Sequence, residues 1–94
     1  MSRAVFLDTS ALLALTNNRD SLHTRARSVM DQLRADRVDA VTTDWVLAEF
    51  LNTAAKIPLR NAAGVAVQNI RSSAKVRVRE ATRVDWDRAF ALYL

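Results

Sequence analysis

The chain of 94 residues contains no cysteine and only one histidine, one glycine and one proline. Without cysteine there is no disulfide framework and no thiolate metal site, so oxygen atoms or the imidazole of His23 would have to hold any metal. Phosphate loops of the dinucleotide or nucleoside-triphosphate type need several glycines and are excluded. No segment is apolar over the length of a membrane span and no secretory signal begins the chain, which predicts a cytoplasmic protein without a membrane partner.

The composition is that of a folded domain, with 50% hydrophobic and 26% charged residues. Fourteen Lys and Arg residues, almost all of them Arg, outnumber ten acids and give a net charge of +4. This excess favours a polyanionic partner such as RNA, although the base composition of the source genome could produce the same bias toward arginine. The length allows one domain of modest stability, and we expect residues 1–94 to form it.

Strands and helices alternate in the hydrophobic pattern. The unbroken apolar run 5–7 predicts a strand buried on both faces, 40–43 predicts a second strand, and the alternating segment 76–79 predicts a third strand, either with one face buried and the other toward solvent or at a sheet edge and guarded by charge. Helices are expected near 11–15, from Asp20 or Ser21 onward, over 45–56, from Pro58 onward and from Thr82 onward. This order predicts an α/β fold, in which helices wrap a parallel sheet.

Asp8 follows the first predicted strand directly. Ligands of open parallel sheets bind outside the carboxyl ends of the strands, so Asp8 is expected to point to the place of the chemistry. It could also cap the next helix, a task for which Thr9 and Ser10 are equally well placed. A second acid, Glu49, lies about sixty degrees from the edge of the apolar stripe of its helix and is therefore expected to be borderline buried.

The two acids suggest a metal site. If the helix 45–56 packs beside the first strand, the carboxylates of Asp8 and Glu49 converge, and their repulsion favours a cation between them. A hard divalent ion such as Mg²⁺ or Mn²⁺ suits these oxygens and keeps waters available to attack a phosphate. The other polar and aromatic candidates have structural interpretations: His23 as a surface residue, and Trp45 and Trp86 as packing anchors.

Two segments in this order and at this spacing, VFLDTSALLAL over 5–15 and TTDWVLAEFLN over 42–52, resemble the PIN-domain family and its VapC-type toxins. The resemblance implies a metal-dependent endoribonuclease of a toxin-antitoxin system, which acts on RNA, forms a homodimer and is silenced by a VapB-type antitoxin. Asp8 and Glu49 match catalytic, metal-binding acids of the family. Ser10 matches a hydroxyl residue that holds the acidic cluster, and Thr9 beside it is expected to do the same.

The last residues depart from the family pattern. The sequence ends at Leu94 inside an apolar helical pattern, and the remaining family acids belong to a threonine-aspartate motif and a last strand that would follow. We therefore expect the N-terminal and central part of a PIN-like domain, with the C-terminal helix and strands absent, weaker metal binding, and an open apolar edge at strand 5–7 that favours association.

Two alternatives to a ribonuclease remain open. One is a truncated or degenerate PIN protein that binds antitoxin or RNA without cleaving it. The other is a phosphoryl-transfer enzyme with Asp8 as nucleophile, against which Ser10 argues because such enzymes commonly place a second aspartate there.

Overall fold

The computed structural model describes residues 4–93, without the side chains of Ala89 and Tyr93. Three strands and five helices alternate along these residues, as the pattern predicts. They are β1 (Ala4–Phe6), α1 (Thr9–Thr16), α2 (His23–Ala35), β2 (Asp39–Thr43), α3 (Asp44–Ala54), α4 (Arg60–Ser72), β3 (Val76–Arg79) and α5 (Arg83–Tyr93). None of these helices is long and apolar enough to cross a membrane.

The three strands form one parallel sheet in the order β1-β2-β3. Parallel neighbours cannot be joined by a tight hairpin, so a helical crossover separates each pair: α1 and α2 connect β1 to β2, and α3 and α4 connect β2 to β3. The α/β fold with a parallel sheet and surrounding helices is therefore confirmed.

The core lies on one face of the sheet, which we call the inner face. Leu7 and Ala40 point to this face and are almost fully buried. They pack with apolar side chains from α1, α3 and α4, and Phe50 of α3 is completely buried among them. The remaining buried members of this core are Leu12, Leu47, Ala54 and Ala63.

The opposite face of the sheet, which we call the open face, is largely exposed, so the prediction that the first strand is buried on both faces was wrong. The residue pairing across the sheet places Phe6, Thr43 and Arg79 on this face together with Val41 and Arg77. Phe6 is 54% exposed and both arginines are exposed. β1 is thus not buried on both faces, because it forms an edge of the described sheet and the core packs against its other side.

The position of β1 at a sheet edge agrees with the expectation of an open apolar edge. Val5 is 36% exposed there, and within the described residues β1 pairs only with β2, so its other side is open to solvent. Association of chains through this edge stays a prediction, and light scattering that shows a monomer at all concentrations would contradict it.

Two helices begin later than the pattern indicates. α2 begins at His23, because Asp20 forms a separate turn in which its carboxylate accepts the Leu22 amide and its carbonyl accepts the His23 amide. α4 begins at Arg60, two residues after Pro58. In both cases the sequence pattern locates the helix correctly and places its first turn too early, as is common for helix boundaries.

Thr42 carries the only buried polar side chain among the described residues. Its hydroxyl donates a hydrogen bond of 2.8 Å to the carbonyl oxygen of Leu7, which links β2 to the residue just before Asp8. We expect Thr42→Val to lower the free energy of unfolding by about 1–3 kcal/mol, because the carbonyl loses a buried partner while the volume stays nearly constant. Urea denaturation would measure this loss, and the exposed Thr24→Val should change stability little.

Candidate functional site

An acidic residue follows each strand of the sheet at its carboxyl end. β1 ends at Phe6 and Asp8 comes two residues later, while Asp44 directly follows β2 and Glu80 directly follows β3. Because all three strands are parallel, these ends lie along the same edge of the sheet. Open parallel sheets bind their ligands at this edge, so the functional site is expected here.

Asp8 is held from two sides. Its Oδ1 accepts a hydrogen bond of 2.8 Å from the amide of Ala11, which makes Asp8 the N-cap of α1, and the preceding carbonyl is fixed by Thr42. Of the three residues that could cap this helix, the structure uses Asp8, while Thr9 and Ser10 form its first turn. The hydrogen bond to the carboxylate thus comes from the backbone and not from either hydroxyl. The side chain remains exposed to solvent.

Glu49 lines a cleft at the same end of the sheet, which we call the acidic cleft. It has a volume of about 360 Å³ and contains Phe6, the last residue of β1. Glu49 is exposed rather than borderline buried. The other side chains around the cleft are Thr43, Trp45, Val46, Arg79 and Asp85.

The acidic cleft also contains a charged pair that the sequence pattern does not predict. Arg79, the last residue of β3, lies 3.9 Å from the carboxylate of Asp85 in α5. The position of Asp85 in the first turn of α5 indicates by itself only a favourable interaction with the helix dipole. The alternating pattern of β3 gave one usable signal, because it places every second residue on the same face and so aligns Arg79 with Thr43 on the open face.

Asp85 also organises the start of α5. Its Oδ2 accepts hydrogen bonds from the amide and the hydroxyl of Thr82, at 3.0 and 2.9 Å, and the Thr82 hydroxyl in turn accepts the amide of Asp85 at 3.2 Å. These hydrogen bonds, first from the backbone and then from the side chain of Thr82, lower the pKa of Asp85, and the charges of Arg79 and Arg88 lower it further.

This lowered pKa predicts a pH dependence of stability. An acid with a depressed folded pKa stabilises the fold fully above its unfolded pKa, roughly 3.9, and the contribution disappears as the pH falls toward the folded value. We expect the difference in melting temperature between the parent chain and Asp85→Asn to be constant above about pH 5 and to shrink below about pH 4. A difference that grows on acidification would contradict this sign.

Asp44 joins two elements that are distant in sequence. Its Oδ1 accepts the amide of Trp45, in the first turn of α3, and the amide of Ala81, each at 2.8 Å. The second bond spans 37 residues and ties the loop before α5 to the start of α3. The cap of α3 is the hydroxyl of Thr43, which accepts the amide of Val46, so the carboxylate of Asp44 is available for this bridging role.

The two tryptophans form an aromatic cluster beside the acidic cleft. The rings of Trp45 and Trp86 meet edge to face with centroids 5.8 Å apart, and Phe90 packs on Trp86 at 5.4 Å. The expectation that both are packing anchors is only partly correct, because they pack on each other but each is 49% exposed. They also line a second cleft of about 470 Å³, which we call the aromatic cleft.

The carboxylates of Asp8 and Glu49 suit a divalent ion by their chemistry. Asp8 and Glu49 offer carboxylate oxygens, the donors that Mg²⁺ and Mn²⁺ prefer. Within residues 4–93, no three His, Cys, Asp or Glu side chains lie together as a metal centre, so these two acids would have to be supplemented by water. His23 is not a ligand here: it is half-buried, and its Nδ1 donates to the Ala14 carbonyl at 2.7 Å.

Comparisons with known proteins agree with this architecture. The structure is similar to VapC20 of Mycobacterium tuberculosis, a toxin that cleaves the sarcin-ricin loop, with a TM-score of 0.75 and 30% sequence identity. The match covers 95% of this chain and 65% of VapC20, so the chain spans somewhat less than two thirds of that protein. No curated protein sequence matches. The model of the PIN domain family matches residues 5–94, and the chain therefore belongs to the PIN-domain family.

Proposed function

We propose that this chain is part of a metal-dependent endoribonuclease of the VapC toxin type, which acts in a toxin-antitoxin system. The observation that carries the proposal is that both candidate acids lie near the carboxyl end of the sheet, although only Glu49 lines the acidic cleft. Glu49 lines the same cleft as Phe6, and Asp8 follows Phe6 by two residues at the carboxyl end of β1. Membership of the PIN family and similarity to an RNA-cleaving toxin support the same reaction.

Asp8 and Glu49 are the residues proposed to hold Mg²⁺ or Mn²⁺. When bound, the ion would polarise a phosphate oxygen and make a water more nucleophilic. The chain's own contribution is positioning: the Ala11 amide orients the Asp8 carboxylate, and Thr42 fixes the backbone just before it. Ser10 and Thr9 are proposed to help hold this acidic group through their position in the first turn of α1, because neither hydroxyl bonds the Asp8 carboxylate in this structure. Arginines at the carboxyl edge of the sheet, such as Arg79, are proposed to contact the RNA backbone.

The partners are proposals of the same kind. RNA is the proposed substrate, and a VapB-type antitoxin is the proposed inhibitor. A second copy of the chain is the proposed partner in a homodimer. They rest on the similarity to VapC20 and on the net charge of +4, which favours a polyanion. An enzyme of this type would work in the cytoplasm, where cellular RNA is present.

A second candidate is a PIN protein that binds RNA or antitoxin without cleavage. One observation favours it: no group of three metal-binding side chains is found within residues 4–93. Mg²⁺ is held weakly by one or two carboxylates plus water unless the substrate adds ligands, so binding could persist where turnover does not.

An RNA cleavage assay separates the two candidates. The chain would be incubated with a sarcin-ricin loop RNA and with an unstructured RNA while Mg²⁺ or Mn²⁺ is titrated. We expect cleavage that increases with metal and stops when EDTA is added. RNA binding without cleavage at any metal concentration would support the binding protein instead, and cleavage that continues in EDTA would contradict the metal-dependent mechanism.

A further inference from the structure

The aromatic cluster of Trp45, Trp86 and Phe90 lies outside the buried core and is about half exposed. Trp45 and Trp86 are the only tryptophans of the chain, and each leaves about half of its surface exposed although the two rings touch. Phe90 extends the cluster and is 47% exposed. Neighbouring large aromatics at a surface are typical of a binding site, because their apolar area is otherwise left in water.

Trp45 lies between two clefts. On one side it lines the acidic cleft with Glu49, and on the other it lines the aromatic cleft with Trp86. The aromatic cleft, at about 470 Å³, lies within the usual range of about 300–1,000 Å³ for ligand sites. A group bound against the tryptophans would therefore lie next to the cleft that carries the candidate catalytic glutamate.

The polar residues of the aromatic cleft indicate what that group is. Arg83 contributes a positive charge that suits a phosphate, and Asp87 contributes an acceptor that suits the amino group of a base. Aromatic faces with a nearby arginine are the usual means by which proteins bind single-stranded nucleic acid. A protein partner would use the exposed rings but would not need the arginine and the carboxylate together in one small cleft.

We propose that the aromatic cleft binds an unpaired nucleobase of RNA, which stacks on Trp45 and Trp86 while Arg83 contacts the adjoining phosphate. The inference rests on the proposed ribonuclease function and adds where the RNA next to the cleaved phosphate would lie. It makes an unpaired base beside the scissile phosphate a requirement for tight binding. Trp45 and Trp86 are thus specificity-determining residues rather than catalytic ones.

Because both tryptophans line the aromatic cleft, their fluorescence reports on binding there, and the abasic oligomer controls for binding in the acidic cleft that Trp45 also lines. The chain would be titrated in EDTA, where no cleavage occurs, with a short single-stranded RNA and with an abasic ribose-phosphate oligomer of the same length. We expect the RNA to quench the emission and the abasic oligomer to have little effect. Trp45→Phe and Trp86→Phe each leave one reporter, and both should still be quenched.

Affinity gives a second measurement. Trp45→Ala should weaken RNA binding by about 5- to 150-fold, which corresponds to the roughly 1–3 kcal/mol found per stacked base. Val65→Ala, which shortens an exposed apolar residue on α4, is the matched control and should leave binding unchanged. Circular dichroism would verify that the variants fold, and the single-tryptophan variants test the proposal without removing an aromatic ring.

The outcomes distinguish this inference from the function on which it rests. Equal binding of the abasic oligomer, or RNA binding without a change in emission, would overturn the nucleobase site. Emission that changes with protein concentration and not with RNA would identify the cluster as a contact between chains and would also overturn it. Quenching by RNA without metal-dependent cleavage would support the nucleobase site and contradict the nuclease function. Metal-dependent cleavage of RNA that binds no better than the abasic oligomer would support the nuclease function and contradict the nucleobase site.

Discussion

Asp8→Asn is expected to abolish RNA cleavage, with a loss of at least about 100-fold, while the protein stays folded. Residues that merely support a metal ligand already cost about 10- to 100-fold when they are mutated, so a proposed ligand should cost at least as much. The fold should survive because asparagine is as good an N-cap as aspartate, and its side-chain oxygen can still accept the Ala11 amide. Single-turnover cleavage of RNA at saturating Mg²⁺ measures the loss.

Two further variants separate charge from capping. Asp8→Ala removes both, and we expect it to lose the same activity and in addition about 1 kcal/mol of stability, because the first turn of α1 loses its cap. Glu49→Gln should lose activity as Asp8→Asn does, and its stability should not change, because the side chain is exposed. Full cleavage by Asp8→Asn would remove Asp8 from the mechanism and would leave it as a helix cap only.

The architecture could be predicted because each element has a local signal. Apolar periodicity located all eight elements, and the alternating pattern Val76-Arg77-Val78-Arg79 indicated β3, which lies at an edge of the described sheet and is exposed except at the half-buried Val76. The exposure of β1 could not be predicted in the same way. An apolar run has the same sequence whether its strand lies inside the sheet or at its edge, and only the strand order decides between the two.

Only those parts of the candidate site that have a local signal in the sequence could be predicted. Asp8 could be named as a candidate because it comes two residues after β1, and strand direction fixes the edge at which parallel sheets bind ligands; its role stays a prediction. The contacts of Arg79 with Asp85 and of Asp44 with Ala81 connect residues from different elements, so no spacing along the sequence reveals them. The edge-to-face contact of Trp45 with Trp86 belongs to the same class and joins α3 to α5 across 41 positions.

Phe50→Ala is expected to have the largest effect on stability, about 3–5 kcal/mol, because truncation of a buried phenylalanine removes its transfer energy and leaves a cavity. Phe50 is 0% exposed and lies in the cluster that joins α3 to the inner face of the sheet. Domains of this size have about 5–15 kcal/mol in total, so the variant should retain only a small margin and melt more than about 12 °C lower. The adjacent Leu51, which is 38% exposed, provides the control, and Leu51→Ala should cost less than about 1 kcal/mol.

Thermal denaturation followed by circular dichroism compares the two variants, and similar losses of stability in both would show that the core is not centred on Phe50. Because α3 also carries Glu49, the Phe50 variant should lose the geometry of the acidic cleft on unfolding, and its cleavage activity should disappear at the temperature where its helices melt.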